Sequence, residues 1–170
     1  MSERRSALAD RRAREFEAFV TGAAGRLLHA ATLLTAETPD ANPRAQRLLT
    51  AALAQTYVEW DRLRGEDPYN RTRQELATRF ARVSWRRQRT DGGVLAQLTP
   101  QERLVVVLRL YEQVAEEQTA ALMGLPVERV RTVCRRSVAA LCATRRSRPS
   151  GGPLRTAGGG PAQGSSEPGP

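Results

Sequence analysis

The sequence predicts an all-α protein: two small helical domains joined by a flexible linker, a helix-turn-helix in the second domain, and a disordered C-terminal tail. Three observations carry this. Apolar residues recur at helical spacing through most of the chain, and no stretch alternates as a half-buried strand would. Asp91-Gly92-Gly93 interrupts the pattern between two helical regions. After Arg148 the chain reads PSGGPLRTAGGGPAQGSSEPGP, with almost nothing apolar to bury. The expected divisions are residues 8–89, a linker over 90–96, a second domain over 97–147 and the tail over 148–170.

The first helix is expected over Ala7 to Leu34, where Phe16, Phe19, Val20, Leu27, Leu28, Ala31 and Leu34 recur near helical spacing. Gly22 and Gly25 are expected to break or bend it. A polar loop with two prolines follows, from Ala36 to Pro43. The second helix is expected over Arg44 to Arg64, with Leu48, Leu49, Ala52, Leu53, Thr56, Tyr57 and Trp60 as its stripe. Gly65-Glu66-Asp67-Pro68 reads as a turn. A third helix, Tyr69 to Gln88, carries Leu76, Phe80, Val83 and Trp85 among arginines.

Thr99-Pro100-Gln101-Glu102 reads as a helix start: Thr99 as cap, Pro100 at the first helical position and Glu102 completing a capping box. This helix extends through Leu104, Val105, Leu108 and Tyr111 to about Gln113. Residues 116–141, EEQTAALMGLPVERVRTVCRRSVAAL, then read as two helices joined at Gly124-Leu125-Pro126. Glycine takes a left-handed turn without steric cost, and proline suits a helix start because its missing N–H loses nothing.

The chain has 170 residues and a formal net charge of +9. All 27 basic residues are Arg. Arginine offers a planar fork to phosphates and base edges. From Arg129 to Arg155 there are eight Arg and no Asp or Glu, so the excess charge gathers on the last helix and beyond it. A strongly basic chain suits a polyanionic partner. No apolar run approaches a membrane span, and MSERRSALADRRAREF lacks the apolar core of a signal peptide, so a cytoplasmic location is expected. Cys134 and Cys142 lie eight apart on one helix and cannot bond within it; both are expected to be buried free thiols. There is no Cys/His spacing for zinc, no Gly-rich phosphate loop and no nucleophile–base pattern. Neither a cofactor nor a catalytic activity is expected.

On a wheel of about 100° per residue, Val127, Val130, Cys134, Val138 and Leu141 fall on one side of the last helix. Glu128, Arg129, Thr132, Arg135 and Arg136 fall opposite, with Arg131 at the edge. A short helix, a glycine turn and a basic amphipathic helix make a DNA-binding helix-turn-helix. Residues early in such a second helix reach base edges, so Glu128, Arg129 and Thr132 are the candidate readers. Arg131, Arg135 and Arg136 are the candidate phosphate contacts, with Arg145, Arg146 and Arg148 adding nonspecific affinity.

The stretch LTPQERLVVVLRLYEQVAEEQTAALMGLPVERVRTVCRRSVAAL resembles region four of bacterial sigma factors of the sigma-70 family, in the extracytoplasmic-function group. Arg103, Leu108, Arg109, Tyr111, Ala120, Leu122, Gly124, Val130, Arg136 and Leu141 carry the match, and Arg131 stands where the family usually has Lys. Less closely, Phe16 to Val20, Leu28 to Thr35, Ala51 to Arg62 and Trp85 to Arg87 resemble region two of actinobacterial members. The resemblance implies a subunit that binds core RNA polymerase and selects promoter DNA. The helix-turn-helix would read the upstream element, and the N-terminal domain would dock on the polymerase clamp and help melt the downstream one.

Region two departs from the family pattern. Where the family has Ala-Glu-Asp-Leu-Val-Gln in its clamp-binding helix, this chain has Ala45-Gln46-Arg47-Leu48-Leu49-Thr50. Arg47, Leu48 and Thr50 are thus the candidate docking residues, with charge reversed at Arg47. The asparagine of the family's melting segment has no counterpart in Ala77-Thr78-Arg79-Phe80. Trp85, with Arg86 and Arg87, is the candidate for stacking on unpaired bases. Two alternatives stand beside the sigma reading: a sigma-like DNA-binding regulator without productive docking, and a protein that binds a sigma or anti-sigma partner through its apolar faces. His29 reads as a partly buried structural residue, and Trp60 as core or interface.

Overall fold

A computed structural model describes residues 2–63, 65–83 and 92–147. They form helices α1 (Ser2–Thr35), α2 (Pro43–Glu59), α3 (Pro68–Val83), α4 (Pro100–Val106), α5 (Glu116–Met123) and α6 (Val127–Ser147). A 3-10 turn, Trp60–Arg62, follows α2, and α4 runs on into a π-helical turn, Val107–Tyr111. The described residues contain no strand, only an isolated bridge between Thr38 and Ala41. The all-α expectation is met.

Helix α1 continues through Gly22 and Gly25 rather than breaking there. Ala23, Leu27, Ala30, Ala31 and Leu34 bury one stripe against α2 and α3, while both glycines lie on the exposed side. Burying that stripe outweighs a helix cost of about 1 kcal/mol per glycine. Midway along α1, Phe16 meets Tyr57 and Trp60 at ring separations of 4.8 and 5.1 Å, both edge to face. The end of α2 and the start of α3 are joined by a buried hydroxyl pair, Thr56 and Thr72, 2.9 Å apart.

The loop read as polar is exposed at Pro39, Asp40, Ala41 and Pro43 but buries Ala36, Glu37 and Asn42. Ala36 takes a left-handed φ of 53°, and α1 ends as a Schellman turn with Ala36 N–H to Leu33 O and Glu37 N–H to Thr32 O. Glu37 is 4% exposed. Its carboxylate accepts the Arg44 and Ala45 N–H groups at 3.0 and 2.8 Å, the Thr35 hydroxyl at 2.9 Å and Arg44 Nε at 3.2 Å. Asn42 makes no side-chain cap of its own, so Glu37 caps α2 from the preceding loop. Burial acts to raise its pKa, but these donors outweigh it and hold the carboxyl below its ordinary value.

The two helical units share one core. Leu27, Leu34, Leu76 and Phe80 belong to the same buried cluster as Leu95, Leu98, Leu104 and Leu108. Over residues 92–96, the described part of the expected linker, the chain turns against the α1–α2 loop. Gly93 N–H donates to Ala36 O at 3.0 Å, and a Cβ on Gly93 would lie 2.5 Å from Ala36 C. Arg103 of α4, 1% exposed, donates through Nη1 to Leu34 O at 2.8 Å, with its guanidinium 5.9 Å from the Phe80 ring centre. Burial, with the charge of Arg44, pushes its pKa down. Val105, Ala120, Val130 and Val133 form a smaller second core among α4, α5 and α6.

Candidate nucleic-acid interface

Thr99 caps α4 as its sequence requires. Its side chain accepts the Glu102 N–H, and its own N–H donates to Glu102 Oε2 at 2.9 Å. The second core then sets the angle between α5 and α6. Gly124 ends α5 in the left-handed region, φ 63°, and Leu125 N–H returns to Ala120 O at 3.0 Å. Pro126 sits at the entry to α6, where its carbonyl accepts the Arg129 and Val130 N–H groups. The glycine turn and proline start thus work as the sequence implies.

The inner face of α6 is rotated slightly from the wheel. Val130, Val133 and Ser137 are buried, Val127, Cys134 and Leu141 are half-buried, and Val138 is exposed. Val133 packs with Val105 and Ala120, which turns the buried stripe toward residues 130, 133 and 137. The expectation of two buried thiols is corrected at one position: Cys134 is half-buried, while Cys142 lies exposed near the end of α6. Burial raises the pKa of Cys134.

The outer face carries the six residues singled out for DNA. Glu128, Arg129, Thr132, Arg135 and Arg136 are exposed and Arg131 is half-buried at the edge. Among the described residues, Arg129 and Arg135 form no ion pair. The other two arginines do. Arg131 donates to Glu116 Oε2 through Nε and Nη2, at 3.1 and 2.8 Å, and to Glu128 Oε1 through Nη1 at 2.6 Å. Arg136 Nη2 meets Glu102 Oε1 at 2.7 Å. Glu102 therefore uses one oxygen for the α4 cap and the other to hold α6. Burial would raise its pKa, but bonds from Thr99 and Arg136 bring it below the ordinary value.

Arg109 and Glu116 also belong to this face, and sequence reasoning gave neither a site role. Arg109 Nη2 lies 3.5 Å from Glu116 Oε1, and its Nη1 donates to the Val114 carbonyl. One carboxylate at the start of α5 thus faces two guanidiniums from two other elements. No periodicity signals this, because the three residues meet only when the helices pack.

The other candidates are dispersed. Arg47 and Thr50 are exposed on α2, while Leu48 is half-buried against the core. Gln46, one residue before Arg47, donates to Asn42 Oδ1 at 2.9 Å. Trp85, Arg86 and Arg87 lie outside the described residues. His29 is exposed rather than partly buried, with its ring 5.1 Å from that of Tyr111. It lies on the outer side of α1, away from the Leu27–Ala30–Ala31 stripe. Among the described residues, no His, Cys, Asp and Glu cluster suits a metal ion, and no helix is long and apolar enough to cross a membrane.

Comparison with known proteins agrees with this geometry. The family model described as Sigma-70, region 4 matches residues 94–142, which span the capped helix and the helix-turn-helix. The chain is 33% identical to an RNA polymerase sigma-E factor of Streptomyces coelicolor over 152 residues, covering 75% of this chain and 84% of that protein. It is also 33% identical to the Streptomyces avermitilis sigma-E factor, covering 83% of it, and 32% identical to that of Streptomyces antibioticus, covering 82%, each over 75% of this chain. No solved structure matches. With the helix-turn-helix built as described and relatives matched over most of their length, the chain belongs to the sigma-70 family of RNA polymerase sigma factors, in the extracytoplasmic-function group of actinobacterial type.

Proposed function

We infer that this chain works as a sigma factor: it binds promoter DNA and directs core RNA polymerase to it. It is a transcription initiation factor rather than an enzyme. The observation that carries the reading is the exposed basic face of α6, held outward by a buried Val130–Val133–Ser137 stripe and entered from a glycine turn.

In this reading Glu128, Arg129 and Thr132 face base edges of the upstream element. Arginine can fork to guanine, and glutamate can accept from cytosine. Arg131, Arg135 and Arg136 contact phosphates, which fix register without reading sequence. Residues 8–89 make the polymerase-facing unit and residues 97–147 the promoter-reading one. The exposed α2 residues Arg47 and Thr50, with Leu48 beside them, face the polymerase, and Trp85, Arg86 and Arg87 assist strand separation. A cytoplasmic location follows from this work, and an anti-sigma protein is a further candidate partner.

Co-purification with core polymerase followed by run-off transcription tests the reading. A specific transcript that depends on this chain supports it. A second reading has one observation in its favour: Arg47 is exposed where the family carries an acid. A chain that binds promoter DNA but does not retain core polymerase would be a sigma-like regulator instead. Gain of core affinity on Arg47→Asp would identify that position as a contact.

A further inference from the structure

The Glu116 carboxylate has the surroundings of a bound anion. Arg131 grips its Oε2 with two nitrogens, and Arg109 Nη2 approaches its Oε1 at 3.5 Å. Glu116 is the first residue of α5, whose preceding residue, Ala115, has no side chain able to cap the helix. The unpaired N–H groups of a helix start favour an anion. Two guanidiniums and a helix start are also the groups that DNA-binding proteins turn toward phosphate. The acid remains about one-quarter exposed and Arg131 more so, which leaves both reachable from solvent. Glu128, 78% exposed, meets Arg131 from the opposite side.

We propose that Glu116 is an internal stand-in for a DNA phosphate: in the free protein its carboxylate occupies the anion position formed by Arg109 and Arg131, and DNA must displace it. The inference rests on the reading of α6 as a DNA-contacting helix. The Arg131 hydrogen bond holds the acid below the ordinary carboxylate range, so it is charged at neutral pH. An arginine already neutralised by its own chain releases fewer counterions when it meets DNA, and nonspecific binding is driven mainly by that release. Glu116 therefore suppresses adherence to arbitrary sequence. A site whose base edges suit Arg129 and Thr132 offsets the cost of moving the carboxylate; a random site does not. Glu116 is thus a specificity-determining residue that touches no base itself.

The test uses the full chain and a random-sequence duplex of roughly 30 base pairs, with affinity measured by fluorescence anisotropy across a salt series. Glu116→Gln is expected to bind about 5–10-fold tighter near 0.1 M salt, with a log–log salt slope steeper by about one. Glu116→Ser suits a helix start and must move both quantities the same way. In an Arg131→Gln background the gain from Glu116→Gln should shrink to half or less, because the two residues act on each other. Unchanged or weaker binding by the Glu116 variants overturns the proposal, as does a gain undiminished by loss of Arg131. If neither the natural chain nor the variants bind duplex at low salt, the DNA reading of α6 falls first, and the proposal with it.

Discussion

The Tyr69 hydroxyl on α3 donates to both carboxylate oxygens of Glu112, each at 3.0 Å, across the junction between the N-terminal helices and those of the helix-turn-helix region. The Glu112 side chain is 1% exposed, and its ionic neighbours stand farther off, with Arg26 Nε at 3.7 Å and Arg73 Nη1 at 3.8 Å. Burial and the adjacent charge push the Tyr69 pKa far above its ordinary value, so the hydroxyl keeps its proton and remains a donor. With Arg103 on the Leu34 carbonyl and Gly93 on Ala36, this bond makes the junction partly polar. Such contacts fix a particular arrangement, because a mismatch leaves a buried group without a partner.

Tyr69→Phe keeps the ring and removes the donor. It is expected to lower unfolding stability by about 1–3 kcal/mol, since the buried carboxylate loses its closest partner. Chemical denaturation measures this. A change below about 0.5 kcal/mol would remove the Tyr69–Glu112 bond from the forces joining the two units.

Glu37 gives the acid limb a specific origin. Its carboxyl lies below its ordinary value of 4.5 in the folded chain. Its contribution is therefore complete above that unfolded value and lost as pH falls through the lower folded one. Glu37→Gln should cost about 1–3 kcal/mol at neutral pH and flatten the fall in stability below about pH 4.5. Thermal melts of both proteins from neutral to acid pH test this; parallel curves would contradict it.

Two glycines should respond in opposite directions to alanine. Gly124 sits at φ 63° with open space around it, so its cost is backbone strain alone, about 1 kcal/mol, and Gly124→Asn should cost less. Gly22 is mid-helix with nothing within 4 Å of an added Cβ. Gly22→Ala should stabilise by about 0.4–1 kcal/mol. Melting temperatures moving in the same direction would contradict this account.

On the roles proposed above, Arg129 reads bases and Arg135 holds phosphate, and substitution distinguishes the two. Arg135→Ala should weaken binding to all duplexes alike and reduce the salt slope by about one. Arg129→Ala should cost about 1–3 kcal/mol on a selected site and relax preference at one base pair. Selection from a randomised duplex pool, with natural and substituted chains in parallel, distinguishes the two. Equal loss on every sequence for Arg129→Ala would move that residue to the phosphate group.

Local chemistry was legible along the chain wherever neighbours in sequence decide the outcome. Thr99 and Glu102 form their capping box three residues apart, Gly124 takes the turn that only glycine takes cheaply, and the helical spacing located the six α-helices of the described residues. Errors arose where packing outweighs propensity. Gly22 and Gly25 remain helical because the other side of α1 is buried. The inner stripe of α6 turned toward Val133 and Ser137 because α4 and α5 present Val105 and Ala120 there. The α1–α2 loop looked solvent-facing, yet Glu37 is buried because α2 has no nearer cap.

By itself, the sequence determined an all-helical chain ending in a helix-turn-helix with a basic outer face, since periodicity, caps and turn residues act over a few positions. Only the tertiary structure decided which arginines are free and which are held. Arg129 and Arg135 stand open, while Arg131 and Arg136 rest on Glu116 and Glu102, fifteen and thirty-four residues away in the chain. Composition counts charges, but pairing depends on distances of a few ångströms, and those exist only after the helices have packed.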